Sequence, residues 1–347
     1  VAEQPSETHV LSHVFNIAMM LFGAAAVTWM MRELGWSKFR EVADNVGWYF
    51  AVIFGLDLGA LMIDARALQT FMRPEARMVS YWRVLAAQAS GRAINVVTPF
   101  GALGEATKLT MLVSRAPRAR VLSALVLVNL TTLYLSVIVM VIGTPITLLL
   151  VDLPRGLKLT IGIGFAVLLP LVIALGVIVK RGALSTLTGL LRGVRVISQE
   201  RRDRWRKSLV EVDRHIAELY RARSAGTWRG ILWILLSRVV TWTSTTVLYA
   251  TAGVAITPSL MIGVLSVGVL ITWIASIVPL GLGLADGGNY ALFELLGATG
   301  IHGTFMTMLN RVRSLGVALL GLVIMAIASL LGRIEAMQIH RRLRARK

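Results

Sequence analysis

The sequence predicts an all-α polytopic membrane protein with about six full transmembrane helices and two oppositely oriented re-entrant helical hairpins, an inverted-repeat-like plan. Three observations predict it. Of the 347 residues, 56% are hydrophobic and only 16% charged, and the mean hydropathy is +0.72. The apolar residues come in blocks of roughly 20, the length a helix needs to cross a hydrocarbon core. Two further apolar blocks are broken in the middle by Pro and Gly, which interrupt helices.

The first block, Val10–Met31, reads as a retained first span, since VAEQPSETHV lacks the basic start of a signal peptide. A second span follows over Val46–Ile63, then the Arg-rich stretch 65–83. Residues 84–114 hold two short helical stretches, 84–97 and 104–114, separated by TPFGALG. Each is too short to cross alone, so together they predict a first re-entrant hairpin. Broken backbone at membrane depth is tolerated only inside protein or a wet cavity. Full spans are expected over Val121–Ile142 and Leu159–Val179, joined by 143–158, with Pro170 bending the second.

Residues 180–230 form a basic segment. Trp205, Leu209, Val212, Ile216 and Leu219 recur there at helical spacing. This predicts an amphipathic helix that lies either on anionic headgroups or against the base of the bundle. Ile231–Ala250 is the next span. The second broken segment covers 259–300, as 259–278, the interruption 279–288 and a helical stretch 289–300. A last span, Phe305–Leu331, leads into a basic tail, 332–347.

Orientation follows from where Lys and Arg collect. Segments 65–83, 115–120, 180–230 and the tail are Arg-rich and belong in the cytoplasm; 32–45 and 143–158 carry fewer basic residues and lie outside. The broken segment 84–114 then begins and ends inside, and 259–300 begins and ends outside. Both termini are expected in the cytoplasm of a bacterial inner membrane. A net charge of +18 is thereby absorbed by topology, and no nucleic acid partner is expected. There is no Cys, and the scattered His lack metal-ligand spacing, so neither metal nor cofactor is expected.

Charged side chains in the bilayer are costly and mark function or internal pairing. Candidate substrate-binding residues are Arg92, Asn95, Glu105 and Lys108 in the first hairpin, Asp286 and Asn289 in the second, and Arg238 and Arg311 in neighbouring spans. A guanidinium matches a phosphate in a fixed fork, which points to an anionic or zwitterionic headgroup. Pairing within the bundle is the competing reading, favoured for Asp57, Asp64, Glu294 and Arg313. No GxSxG, HExxH or Walker loop is present, so no enzyme activity is expected.

The two interruptions read Pro99-x-Gly101-x-x-Gly104-Glu105 and Pro279-x-Gly281-x-Gly283-x-x-Asp286. With NRVRSLG at the start of the last span, they resemble the transmembrane domain of lysylphosphatidylglycerol synthases and related stand-alone flippase-like proteins, over residues 10 to 332. The resemblance implies movement of lipids between leaflets, and it departs at Asp286, where that family usually has Glu, and at Gly281-Leu282. The aminoacyl-transferring domain of the fused synthases has no counterpart here, so lipid aminoacylation is not expected. Three readings stay open: a lipid translocase, a carrier of a small soluble anion, and a scaffold for a lipid-biosynthetic enzyme. Membrane lipids, such an enzyme and a second copy of the chain are the partners considered.

Overall fold

The computed structural model describes residues 46–73, 79–98, 102–150, 225–251, 253–276 and 283–344, with scattered positions between 18 and 32 and between 159 and 173. The described residues form helices joined by turns, with no strand among them. In chain order the main helices are α1 (Tyr49–Phe71), α2 (Tyr81–Val97), α3 (Ala102–Leu112), α4 (Arg118–Leu150), α5 (Ala225–Thr251), α6 (Pro258–Ala275), α7 (Leu284–Leu295) and α8 (Gly300–Arg344). Among the described residues, four stretches are long and apolar enough to cross a membrane: Arg118–Leu150, Gly226–Thr251, Pro258–Ala275 and Gly300–Ala328. The amphipathic stretch 205–219 lies outside the described residues. So do the turn residues Pro99, Gly101, Pro279 and Gly281.

Several boundaries differ from the sequence expectation, each for a physical reason. Helix α4 runs on through Pro145 to Leu150, into what was expected to be a loop from 143. Proline removes one ladder hydrogen bond, but the Thr147 hydroxyl donates to the Gly143 carbonyl at 2.8 Å and touches Ser266 Oγ at 3.3 Å. These contacts tie the turn that carries Pro145 to α6. Helix α1 extends beyond Ile63 to Phe71. Arg66 donates to Gln69 at 3.2 Å and lies 3.9 Å from the centre of the Tyr81 ring, so neither end of that turn is left unpartnered. Helix α7 starts at Leu284 rather than at 289. Helix α8 continues into the basic tail as far as Arg344.

The two broken segments are antiparallel helix pairs. In the first, α2 and α3 approach until their backbones nearly touch. A Cβ on Gly104 would fall 1.9 Å from Asn95 Oδ1 and 2.1 Å from the Gly91 carbonyl oxygen, and one on Gly91 would fall 2.4 Å from Lys108 Cγ. In the second pair, α6 and α7, Gly288 lies against Ile271 and Gly263 against Leu296. The arms α2, α3 and α7 have 17, 11 and 12 residues. Helix α6 differs, because its 18 residues with hydropathy 2.0 match a full crossing in length.

Contacts between the halves follow a reciprocal pattern. The long helix after the second pair, α8, packs on α2 of the first; the long helix after the first pair, α4, packs on α6 of the second. Helices α1 and α5 lie antiparallel. Ser244 donates to the Ile53 carbonyl at 3.3 Å, and Ser237 to the Ala60 carbonyl at 3.1 Å. Two apolar clusters result. One gathers Leu68, Phe71, Val84, Leu112, Val121 and Ile234 around the first pair. The other gathers Ile53, Leu248, Leu260, Phe293, Met306 and Leu309 around the second. Large side chains such as Ile142, Leu149, Leu232 and Ile327 point outward, as a lipid-facing surface requires. Two of the three charged residues of α1, Asp57 and Asp64, fall between these clusters along the chain; the third, Arg66, sits among residues of the first.

Candidate functional site

A cavity of about 580 Å³ lies between the two helix pairs and is lined from α2, α4, α5, α6, α7 and α8. This volume falls within the range of small-molecule pockets, roughly 300–1,000 Å³. Four of the eight residues singled out in the sequence face it: Asn95, Arg238, Asn289 and Arg311. They come from four different helices and are up to 216 positions apart, counting from Asn95 to Arg311 (311 − 95 = 216).

The two guanidiniums are each held by a carboxylate that does not itself line the cavity. Arg311 donates from one terminal nitrogen to Asp286 Oδ2 at 2.6 Å. Arg238 donates to Asp64 Oδ2 at 3.2 Å, and its Nε is buried without a hydrogen-bond partner. Asn289 donates to the Thr307 hydroxyl at 2.8 Å, which in turn donates to the Gly303 carbonyl at 3.0 Å. Asn95 Oδ1 is buried and has no partner, and an unsatisfied buried acceptor is expensive unless a ligand or water meets it.

Asp286 is fixed from two sides. Besides Arg311, the same Oδ2 accepts from the backbone N–H of Gly283 at 2.9 Å. Gly283 has φ +78°, a left-handed conformation that glycine adopts without steric cost. This N-terminal capping explains why the helix begins at Leu284 although Gly287 and Gly288 follow.

The other predicted residues lie elsewhere. Glu105 and Lys108 form an i, i+3 ion pair at 2.7 Å within α3. Neither lines the cavity, and Glu105 Oε2 is buried without a partner. Arg92 also lies off the cavity wall. It feels the attraction of Asp64 and Asp57 and the repulsion of Arg238 and Arg313. Asp57 and Arg313 pair directly, as the neutralising reading expected: Arg313 Nε and one terminal nitrogen donate to the two carboxylate oxygens. Ser244 adds a donor to Asp57 Oδ1 at 3.1 Å.

Sequence reasoning missed much of the polar wall: Thr241 and Thr245 on α5, Thr272 on α6, and Thr307 and Ser314 on α8. A signal was available. Thr307, Asn310, Arg311 and Ser314 recur at i, i+3, i+4 and i+7, a polar stripe on one face of the apolar stretch that opens α8. Arg238, Thr241 and Thr245 recur at i, i+3 and i+7 on α5, with Trp242 at i+4. The rest of the wall is apolar or aromatic, including Val139, Trp242, Val264, Leu265 and Trp273. Among the described residues no group of three or more His, Cys, Asp or Glu is placed to hold a metal.

A lipid-facing exterior, two antiparallel pairs with Gly-rich crossings and an amphipathic internal cavity define a helical membrane protein with a chamber between its halves. The family model for the lysylphosphatidylglycerol synthase TM region matches residues 16–342. The chain belongs to that family. None of the curated proteins and none of the solved structures matches it.

Proposed function

We propose that this protein moves an amphipathic lipid with an anionic or zwitterionic headgroup between membrane leaflets. The observation that carries the reading is the chamber between the helix pairs, where Arg238 and Arg311 stand beside amide and hydroxyl side chains while Trp242, Val264, Leu265 and Trp273 supply apolar wall. A headgroup phosphate would meet guanidinium donors, and an acyl chain would meet the apolar side. Family membership supports a role in lipid biosynthesis or movement.

In this reading the helix pairs α2–α3 and α6–α7 enter from opposite faces of the bacterial inner membrane as re-entrant hairpins. Six full crossings surround them, and both termini are cytoplasmic. Reciprocal packing of α8 on α2 and of α4 on α6 supports an inverted repeat, the architecture in which secondary transporters place substrate near the midplane. The substrate partners are membrane lipids.

Reconstitution into liposomes with headgroup-labelled lipids from a native extract tests the proposal. Labelled lipid on the inner leaflet should become accessible to a membrane-impermeant quencher faster than in protein-free vesicles. A folded protein that accelerates no lipid in the extract overturns the proposal. Uptake of a soluble anion instead of lipid flux would favour the small-anion carrier.

A further inference from the structure

Among the described residues, Arg92 is the charged candidate that takes no hydrogen bond and no ion pair. Its place on α2 is fixed by its neighbours. One turn before it, Gln88 donates to the Asp64 carbonyl of α1 at 3.4 Å. Ala89 and Ala93, on either side, lie against Gly321 of α8, where a Cβ would fall 2.3 Å from the Ala89 carbonyl oxygen. One turn after it, Asn95 and Val96 line the chamber. Residues at i, i+3 and i+4 share a helix face, so Arg92 stands between α1 and α8, next to the chamber wall.

The charges around it do not balance. Asp64, Arg238, Asp57 and Arg313 are the groups that act on Arg92. Arg313 takes Asp57 and Arg238 takes Asp64, so each carboxylate already has a guanidinium and Arg92 is left over. Three cations thus face two anions across α1, α2, α5 and α8. A surplus charge at low dielectric is costly until a counter-ion meets it. Arg92 is half-buried, so its donors are open to a small group. Arg238 belongs to the same set and also faces the chamber, with its Nε unpartnered. We propose that Arg92 and Arg238 form a second anion subsite beside the chamber, suited to a phosphate group that carries one negative charge and no cation of its own. The inference rests on the chamber being the substrate site, and it narrows the headgroup to a net-anionic phosphodiester. A monoanion brings the set to neutrality. A zwitterionic headgroup restores the surplus through its ammonium, and a dianion overshoots. Two guanidiniums from different helices can each take a phosphate oxygen.

Thermal unfolding of the full chain in nanodiscs tests the subsite. Discs of dioleoylphosphatidylcholine are compared with discs that also contain dioleoylphosphatidylglycerol, and with phosphatidylcholine discs given dimethyl phosphate, a soluble phosphodiester monoanion. Phosphatidylglycerol should raise the Tm of the parent by about 2 °C. Arg92→Gln should abolish the rise, and Arg92→Lys, which keeps the charge, should retain most of it. In pure phosphatidylcholine Arg92→Gln should be at least as stable as the parent, because it removes the surplus cation. A rise with dimethyl phosphate alone supports the subsite and assigns it to a soluble anion. No rise in the parent overturns the inference, and so does a rise of equal size in Arg92→Gln. An Arg92→Gln protein that fails to fold, or is less stable by the same amount in every disc, also overturns it, since Arg92 is then a structural partner of Asp64. Lipid flux measured on the parent separates the two proposals: flux without an Arg92-dependent rise removes the subsite alone, and a rise without flux removes the translocase alone.

Discussion

Arg313 of α8 grips Asp57 of α1 through two parallel nitrogen-to-oxygen contacts, joining positions 256 residues apart between the two apolar clusters. Both residues are buried, Asp57 to 3% and Arg313 to 9% exposure, and Ser244 of α5 completes the junction. Three helices from the two halves therefore meet at one carboxylate. Desolvating two ions costs several kcal/mol each, and close pairing with added donors offsets it.

Breaking this pair from one side should destabilise the protein. Arg313→Ala leaves a buried carboxylate with the Ser244 hydroxyl as donor and the charge of Arg92 nearby but no paired guanidinium, a loss of about 3–5 kcal/mol. Thermal unfolding in detergent should show a marked fall in Tm, with Asp57→Leu combined with Arg313→Leu recovering much of it. An unchanged Tm for Arg313→Ala would mean that the pair contributes nothing to the bundle.

The crossing of α2 and α3 depends on Gly104. Gly104→Ala should lower Tm and reduce transport, because its Cβ would collide with the Gly91 carbonyl oxygen at 2.1 Å as well as with Asn95. Gly55→Ala is the contrast. It meets nothing within 4 Å in the middle of α1, and alanine is favoured over glycine in a helix by about 1 kcal/mol. Equal stability of the two variants would contradict the close approach.

Filling the chamber should stop transport and spare the fold. Thr245 lines the cavity, and its hydroxyl donates to the Thr241 carbonyl within its own helix. Thr245→Phe should cut lipid flux by about tenfold, a barrier change near 1.4 kcal/mol, with little change in Tm. Flux at the parent rate would show that the substrate takes another route.

The two arginines of the chamber wall should differ from Arg313. Arg238→Gln and Arg311→Gln should lower flux of anionic lipid, since each removes a guanidinium facing the cavity. Titrating the ionic strength of the bath should change the flux little, because enclosed charges are screened far less than surface ones. A strong salt dependence would place the selective step at the surface instead.

The sequence made the helical class and both broken segments legible, because Pro and Gly within apolar blocks leave few alternatives to an interrupted helix. Four of its eight candidate binding residues meet at the chamber. What stayed hidden was set by contacts remote in the chain. Nothing local to Arg313 names Asp57 as its partner, and nothing near Arg238 shows that it reaches across to Asp64; the Glu105–Lys108 pair, three residues apart on one helix, was by contrast legible from spacing. The start of α7 was placed late because Gly287 and Gly288 look like helix breakers; the Asp286 cap and the close approach of Gly288 to Ile271 explain their tolerance. Helix α4 runs through Pro145, and its packing on α6 there, with Thr147 against Ser266, is likewise a contact remote in the chain. The threonines of the chamber wall were overlooked because single hydroxyls cost little in an apolar helix, where they bond their own backbone.

A structure of the protein in nanodiscs of native lipid extract tests the central claim most directly. The account predicts headgroup density between α2, α5, α7 and α8, with a phosphate within hydrogen-bond distance of Arg311 or Arg238 and an acyl chain running past Trp242 or Trp273. A chamber that is empty of lipid, with every bound lipid confined to the outer surface of the helices, would contradict it.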